Sequence, residues 1–126
     1  MSTVLIVEDN EKNMKLVRDV LKHQGYKVLE AVNATAGLKL ARDERPDLIL
    51  MDIQLPDING ITALKMIRAD ERIAKTPVVA VSASAMPDEQ QKIVASGFDA
   101  FITKPINLKA FQETVERFLA QGRRPA

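Results

Sequence analysis

Five short apolar runs alternate with segments whose apolar residues recur at helical spacing, and this alternation constrains the fold more than any other feature. The runs occupy residues 4–7, 28–32, 48–51, 78–81 and 100–102. All but the second are free of polar residues, which is typical of parallel strands covered on both faces. Strands that alternate with helices form βαβ units with right-handed crossovers. The pattern therefore predicts an α/β protein with a five-stranded parallel sheet.

The intervening segments predict five helices, starting near Glu11, Ala34, Ile61, Pro87 and Leu108. In the first, Asn10 is a candidate N-cap and Gly25 a candidate C′ residue. Pro46 disfavours a helical Arg45 and should close the second helix. The third is expected to run from 61 to 72 and the fourth from 87 to 96. A doubly wound sheet of order 2-1-3-4-5 between two helical layers satisfies this order of elements.

Composition narrows the class of protein. The chain has 126 residues, a formal net charge of +1, no Cys, one Tyr, four Phe and no Trp. Scattered charge and scarce aromatic residues argue against a nucleic-acid interface, and no run reaches the roughly 20 apolar residues of a membrane span. We expect one domain over residues 1–121, a C-terminal tail over 122–126, and a cytoplasmic protein.

Polar residues stand where four of the predicted strands end. Glu8 and Asp9 follow the first, Asp52 the third, Ser82 the fourth and Lys104 the fifth. After Asp52 the residues Pro56, Asp57, Asn59 and Gly60 supply turn chemistry. Ligands of open α/β sheets bind at the carboxyl ends of the strands, so these polar side chains are expected to meet in one crevice.

Three carboxylates in one crevice repel one another unless a cation neutralises them. Mg²⁺ is suited to the task because it prefers carboxylates, waters and phosphate oxygens. Lys104 offers a positive charge to an anion and Ser82 offers a hydroxyl donor. Such a pocket favours phosphoryl transfer, in which Asp52 could act as the nucleophile and form an acyl phosphate.

On Glu8-Asp9, Asp52, Ser82 and Lys104-Pro105, the chain resembles the receiver domain of two-component response regulators over essentially its whole length. The resemblance implies a flavodoxin-like (CheY-like) three-layer α/β/α (βα)5 fold. It also implies that Asp52 accepts a phosphoryl group from a histidine kinase or His-phosphotransfer protein. Mg²⁺ would be held by Asp9, Asp52 and the main-chain carbonyl of Gln54, with Glu8 helping through water. Lys104-Pro105 would be a cis peptide.

The same resemblance implies a switch and two kinds of surface. Ser82, Ala83 and Lys104 would bind the phosphoryl group, and Phe101 would turn inward with Ser82 to remodel the face formed by helix 4, strand 5 and helix 5. That face would bind a downstream protein. Gln54 and Ser84 would tune the rate of dephosphorylation. Helix 1 and adjacent loops would present a partner surface consisting of Asn10, Asn13, Met14, Pro56 and Pro105.

Within the family, V-E-D-N-E-K-N-M and M-D-I-Q-L-P are most similar to stand-alone DivK-type regulators. Two alternatives stay open: a receiver fragment of a hybrid histidine kinase, and a Mg²⁺-dependent phosphatase with an aspartyl nucleophile. The phosphatase requires a second Asp two positions after the nucleophile, where this chain has Gln54. Read separately, Asp9 could also be a helix-terminal charge, and Phe101 a core aromatic.

Overall fold

The computed structural model of the chain describes residues 2–83 and 86–121. Strands and helices alternate throughout, as the sequence predicts. The strands are β1 (Thr3–Val7), β2 (Lys27–Ala31), β3 (Leu48–Asp52), β4 (Val78–Ser82) and β5 (Ala100–Thr103). The helices are α1 (Glu11–His23), α2 (Ala34–Glu44), α3 (Gly60–Ala69), α4 (Pro87–Ala95) and α5 (Leu108–Gln121).

The five strands form one parallel sheet of order β2-β1-β3-β4-β5, which confirms the predicted topology. Four residues of β1, from Val4 to Val7, pair in register with Leu48 to Met51 of β3. Every residue of β3 and β4 is buried, whereas the edge strands β2 and β5 are partly exposed. Three of the four unbroken apolar runs are thus the central strands β1, β3 and β4, whereas the run at 100–102 forms the edge strand β5. The carboxyl ends of the parallel strands share one edge.

Helices cover both faces of the sheet, which gives two hydrophobic cores. One core joins α1 and α5 to the sheet through Met14, Val17, Leu21, Phe111 and Val115. The other joins α2, α3 and α4 to the opposite face, with Leu38, Leu64, Ile67 and Ile93 among its members. The architecture is therefore the expected three-layer α/β/α arrangement.

The first three helices begin at an Asn whose side-chain oxygen accepts a backbone N–H. Asn10 accepts from Asn13, Asn33 from Ala36 and Asn59 from Ile61. Helix α4 instead follows Met86 and has Pro87 at its start. Asn side chains stabilise helix N-termini by satisfying unpaired N–H groups, so α4 starts differently from the three helices before it.

Two helix ends show how far sequence signals reach. Arg45 ends α2 with a positive φ of 47°, consistent with the expected effect of Pro46. The predicted end of α3 at residue 72 is wrong, because the helix stops at Ala69. The Asp70 side chain accepts the backbone N–H of Arg72 at 3.0 Å and so starts a turn in place of another helical turn.

Arg68 joins three segments at the edge of the sheet opposite the carboxyl ends. Its guanidinium donates to the main-chain oxygens of Ala74, Thr76 and Gly97 at 3.2, 2.6 and 3.4 Å. It also pairs with Asp99 at 2.9 Å, and this carboxylate accepts the N–H of Val78 at 2.8 Å. Arg68 thereby connects the end of α3 to the starts of β4 and β5.

One predicted strand boundary is shifted, and two predictions concern residues outside the described part of the chain. Strand β2 covers residues 27–31 instead of 28–32, and Val32 lies beyond it with 60% of its surface exposed. Ser84 and the predicted tail over 122–126 lie outside the described residues. Within residues 2–83 and 86–121, none of the helices is long and apolar enough to cross a membrane.

Candidate functional site

Three carboxylates converge at the carboxyl ends of β1 and β3. Glu8, Asp9 and Asp52 each place one oxygen within 4.8 Å of the oxygens of the other two. Glu8 and Asp52 are 4% and 5% exposed, while Asp9 is exposed to solvent. The parallel pairing of β1 with β3 brings Glu8 and Asp9 close to Asp52, which lies more than 40 positions further along the sequence.

Lys104 lies between the two buried acids. Its Nζ is 3.0 Å from Glu8 Oε1 and 2.9 Å from Asp52 Oδ2. The main-chain N–H of Lys104 donates to the carbonyl of Ser82 at 2.8 Å, which fixes the chain just after β5 against the end of β4. The sequence predicted an amine positioned for an anion, and the structure shows this amine bound to carboxylates.

Burial and the neighbouring charges shift the pKa values of Glu8 and Lys104. Burial raises the pKa of Glu8 to about 7, and the nearby Asp52 adds to the rise while Lys104 opposes it. Burial also works against the charge of Lys104, but hydrogen bonds to Asp52 and Glu8 outweigh it and raise the Lys104 pKa. Burial and the second carboxylate beside it therefore favour the protonated form of Glu8 more than in a solvated glutamate.

The loop after β3 folds back against Asp52. The N–H of Gln54 donates to Asp52 Oδ1 at 3.0 Å, and the N–H of Gly60 donates to the carbonyl of Ile53 at 2.9 Å. A Cβ on Gly60 would lie 2.6 Å from the Asp52 carbonyl oxygen and 2.8 Å from Ile53 Cα. Both neighbours are backbone atoms, so only glycine permits this close return of the chain.

Ser82 and Phe101 border two openings beside α4. Ser82 is buried at the end of β4 and lines a cavity of about 200 Å³ with Gln54, Glu89 and Ile93 among its other walls. Phe101 is half-buried and lines a more open groove of about 470 Å³, whose other walls are Pro87, Gln90, Gln91, Val94 and Ala95. Ala83, next to Ser82, is exposed. The predicted switch residues thus lie on the α4 side of the acidic cluster.

The remaining predicted residues divide into exposed and buried groups. The Lys104–Pro105 peptide bond is cis, as the resemblance implies. Asn10, Pro56 and Pro105 are exposed and Asn13 is half-buried. Met14 is 6% exposed and packs in the core beneath α1, so its expected place on a partner surface is wrong. The reason is its helical spacing from Val17 and Leu21, which puts all three on the inward face.

The donor set fits a hard divalent cation. Mg²⁺ prefers oxygen ligands, often one or two carboxylates with waters and phosphate oxygens, and the three clustered side chains offer only carboxylate oxygens. Three carboxylates meet a single amine in this cluster, so at full ionisation the negative charge exceeds the positive charge. A divalent ion would neutralise this charge.

Comparisons with known proteins agree with the geometry. The family described as response regulator receiver domain matches residues 4–116. The polar-differentiation response regulator DivK of Brucella anthropi is 45% identical over 120 residues, covering 95% of this chain and 98% of that protein, and the Brucella ovis protein of the same name is 44% identical with the same coverage.

Solved structures show the same fold. The chemotaxis response regulator CheY4 of Vibrio cholerae superposes with a TM-score of 0.87 at 27% identity, covering 93% of this chain and 98% of that one. The receiver domain of the sensor histidine kinase PA1611 from Pseudomonas aeruginosa has a TM-score of 0.88 at 28% identity, covering 95% and 98%. That structure contains a magnesium ion coordinated in its active-site cleft.

Proposed function

The chain belongs to the response regulator receiver domain family, and from that premise we propose that it is a phosphorylation switch with Asp52 as the phosphoacceptor. The donor would be the phosphohistidine of a histidine kinase or of a His-phosphotransfer protein. The observation that carries the proposal is the cluster of Glu8, Asp9, Asp52 and Lys104 at the carboxyl ends of the strands.

Four residues are proposed to hold Mg²⁺. Asp9, Asp52 and the main-chain carbonyl of Gln54 would be direct ligands, and Glu8 would act through a water molecule. The proposal is supported by the convergence of the three carboxylates and by the exposure of Asp9 and Gln54 to solvent. Bound Mg²⁺ supplies charge neutralisation at the transferring phosphoryl group.

The transfer is a displacement at phosphorus. A carboxylate oxygen of Asp52 forms a bond to the phosphorus atom while the bond from phosphorus to the histidine nitrogen breaks. The bonding electron pair leaves with the imidazole, and the product is an acyl phosphate. Lys104 would move from the carboxylates to a phosphoryl oxygen, because the added group brings more negative charge. Later attack by water at phosphorus releases inorganic phosphate and restores the carboxylate.

The conformational response is proposed to pass through Ser82 and Phe101. The hydroxyl of Ser82, together with Ala83, would bind phosphoryl oxygens, and Phe101 would turn inward. The groove lined by Phe101 and α4 would change shape, so the face formed by α4, β5 and α5 would bind a downstream protein. Residues Gln54 and Ser84 would set the rate of dephosphorylation. To shift the ratio of active to inactive conformation from 1:99 to 99:1, phosphorylation would have to favour the active conformation by about 5.5 kcal/mol.

The protein is proposed to act as a stand-alone, cytoplasmic regulator. Residues 1–121 would form the receiver and 122–126 a tail. Its relatives named DivK are matched over 98% of their length, which favours this role over that of a receiver attached to a kinase. It would signal by binding or by passing the phosphoryl group onward, and would catalyse only its own phosphorylation and dephosphorylation.

The test is intact-mass spectrometry after incubation with acetyl phosphate, with Mg²⁺ or with EDTA. We expect one phosphoryl adduct that requires Mg²⁺ and is lost in Asp52→Asn, because the amide cannot act as the nucleophile. Asp19→Asn, which removes an exposed carboxylate of α1, is the matched control and should label like the wild type. A folded Asp52→Asn variant that still gains the adduct would contradict the proposal.

A further inference from the structure

Asp57, in the loop between β3 and α3, forms hydrogen bonds with the start of a different helix. Its Oδ1 accepts the N–H of Ala34 at 2.9 Å, and its Oδ2 accepts both the N–H and the hydroxyl of Thr35 at 2.9 and 2.6 Å. Oδ1 also accepts the N–H of Ile58 within its own loop at 2.9 Å. One exposed carboxylate therefore links the β3–α3 loop to the N-terminus of α2.

Helix α2 already has a cap of its own. Asn33 occupies the N-cap position and accepts the N–H of Ala36 at 2.8 Å. Asp57 adds a negative charge at the positive end of the helix, which is favourable. The helix would keep its Asn33 cap without Asp57, whereas the β3–α3 loop would lose its bonds to α2. We therefore expect the bonds of Asp57 to matter mainly for the position of this loop.

That loop contains the proposed metal ligand Gln54 between two attachment points. At its base, Gly60 bonds to the carbonyl of Ile53 and packs directly on the backbone of Asp52. At its far end, Asp57 bonds to α2. The N–H of Gln54 bonds to Asp52 Oδ1, and its side chain is exposed. The carbonyl of Gln54 therefore lies in a backbone segment held by this bond on one side and by Asp57 on the other.

Asp57 also connects the segment after β3 to the segment after β2, which is itself bonded to the end of β1. The N–H of Glu8 donates to the carbonyl of Ala31 at 3.0 Å and thus joins the ends of β1 and β2. The chain continues from Ala31 into α2, where Asp57 is bound, and returns through the loop to Asp52. The backbone on either side of the three carboxylates is therefore connected by hydrogen bonds as well as by the sheet.

We infer that Asp57 is a positioning residue for the metal site: by binding the N-terminus of α2, it holds the β3–α3 loop so that the main-chain carbonyl of Gln54 faces the acidic cluster. The inference rests on the proposed function, because Gln54 is a ligand only if the cluster binds Mg²⁺. The hydroxyl and backbone N–H of Thr35 and the N–H of Ala34 hold the pKa of the Asp57 carboxyl well below its usual range. The link is thus formed by an ionised carboxylate throughout the neutral range.

Three variants separate this role from simple capping of α2. Asp57→Ala removes all four hydrogen bonds, and Asp57→Asn keeps one acceptor oxygen and loses the other. Asn33→Ala is the matched control, since it removes a cap from the same helix without releasing the loop. Mg²⁺ affinity is measured by titrating ¹⁵N-labelled protein with MgCl₂ and following amide shifts of residues 8–10 and 52–55. Amide hydrogen exchange is measured in the metal-free protein.

We expect the Mg²⁺ Kd of Asp57→Ala to rise about tenfold, the lower end of the range for residues that orient metal ligands. Asp57→Asn should show a smaller rise, and Asn33→Ala should stay within about twofold of the wild type. In the metal-free Asp57→Ala protein, the amides of Ala34, Thr35 and Ile58 should exchange faster. Asn33→Ala should accelerate Ala36 and leave the loop amides unchanged.

Two results overturn this inference alone: an Asp57→Ala protein with the wild-type Kd, or an equal loss of affinity in Asn33→Ala. The second would mean that any weakening of the α2 N-terminus has the same effect. A wild-type protein whose amides do not respond to MgCl₂ would overturn the proposed metal site together with the inference. The exchange data establish in each case whether the loop was released.

Discussion

Helices α1 and α4 pack on the same sheet but are held to it very differently. Helix α1 buries Met14, Val17 and Leu21, and the strand before it is buried from Val4 onward. All nine residues of α4 are described, and of these only Ile93 is buried. Burying one such side chain stabilises by about 1.5–3 kcal/mol, so α1 gains about 3–6 kcal/mol more from burial than α4 does.

The difference in burial corresponds to the role proposed for each region. The buried acids Glu8 and Asp52 bond to Lys104 and lie just after β1 and at the end of β3, two strands that are almost entirely buried. Phe101 and its groove border α4, where little apolar contact would be lost in a rearrangement. Segments with few buried apolar contacts open at lower free energy than the core. The proposed phosphoacceptor site is thus on the rigid side of the molecule and the proposed response is on the adaptable side.

The largest expected effect comes from truncating one buried side chain in α1 and one in α4. Leu21→Ala should lower the free energy of unfolding by about 3–5 kcal/mol, and Ile93→Ala by about 2 kcal/mol, because a loosely packed site relaxes around the cavity. Urea denaturation followed by circular dichroism measures both. Equal losses in the two variants would show that α4 is held as firmly as α1, and the comparison would fail.

Native-state hydrogen exchange tests the comparison without mutation. Amides in the middle of α4 should exchange with an opening free energy about 3 kcal/mol below that of α1, which is roughly 100-fold faster exchange. Two-dimensional NMR of the metal-free protein resolves the individual amides. Protection of α4 at the level of α1 would mean that its polar face contributes stability that burial does not reveal.

The smallest expected effect is a pH dependence on the rigid side. The Glu8 pKa is raised from 4.5 to about 7 in the folded protein. Because the folded protein binds this proton more tightly than the unfolded chain, protonation of Glu8 stabilises the fold. This contribution, on the order of 2 kcal/mol, is fully present below pH 4.5 and is lost as the pH rises to 7 and above. Thermal unfolding of the metal-free protein from pH 4.5 to 8 measures it. Glu8→Gln should flatten this part of the profile, and an unchanged profile would contradict the assignment to Glu8.

The central strands and the acidic cluster could be predicted from sequence because their signals are local. An unbroken apolar run ending in an acid marks both a buried strand and the residue at its carboxyl end, as at Asp52. Parallel topology then brings such residues together, and Glu8, Asp9 and Lys104 lie with Asp52 as expected.

Other features depend on contacts that no local pattern encodes. Asp57 was predicted only as a turn residue, because its partners Ala34 and Thr35 lie more than 20 positions away. The end of α3 was misplaced because Asp70, which pairs with the distant Arg42, also forms a turn with Arg72 that competes with continued helix. Met14 was expected on a partner surface from the family resemblance alone, and its helical spacing from Val17 and Leu21 places it in the core instead.

The bonds of Arg68 to Gly97 and Asp99 have a mechanical consequence for α4. They anchor the segment just after this helix at the edge of the sheet away from the acids, whereas the helix starts on the side of Ser82. A rod fixed at one end moves by pivoting. The nine residues of this helix span about 13 Å, so a rotation of about 10° at the anchor would carry the far end through roughly 2 Å. In the proposed response, a small angular change at this anchor would therefore become a displacement large enough to reshape the groove beside Phe101.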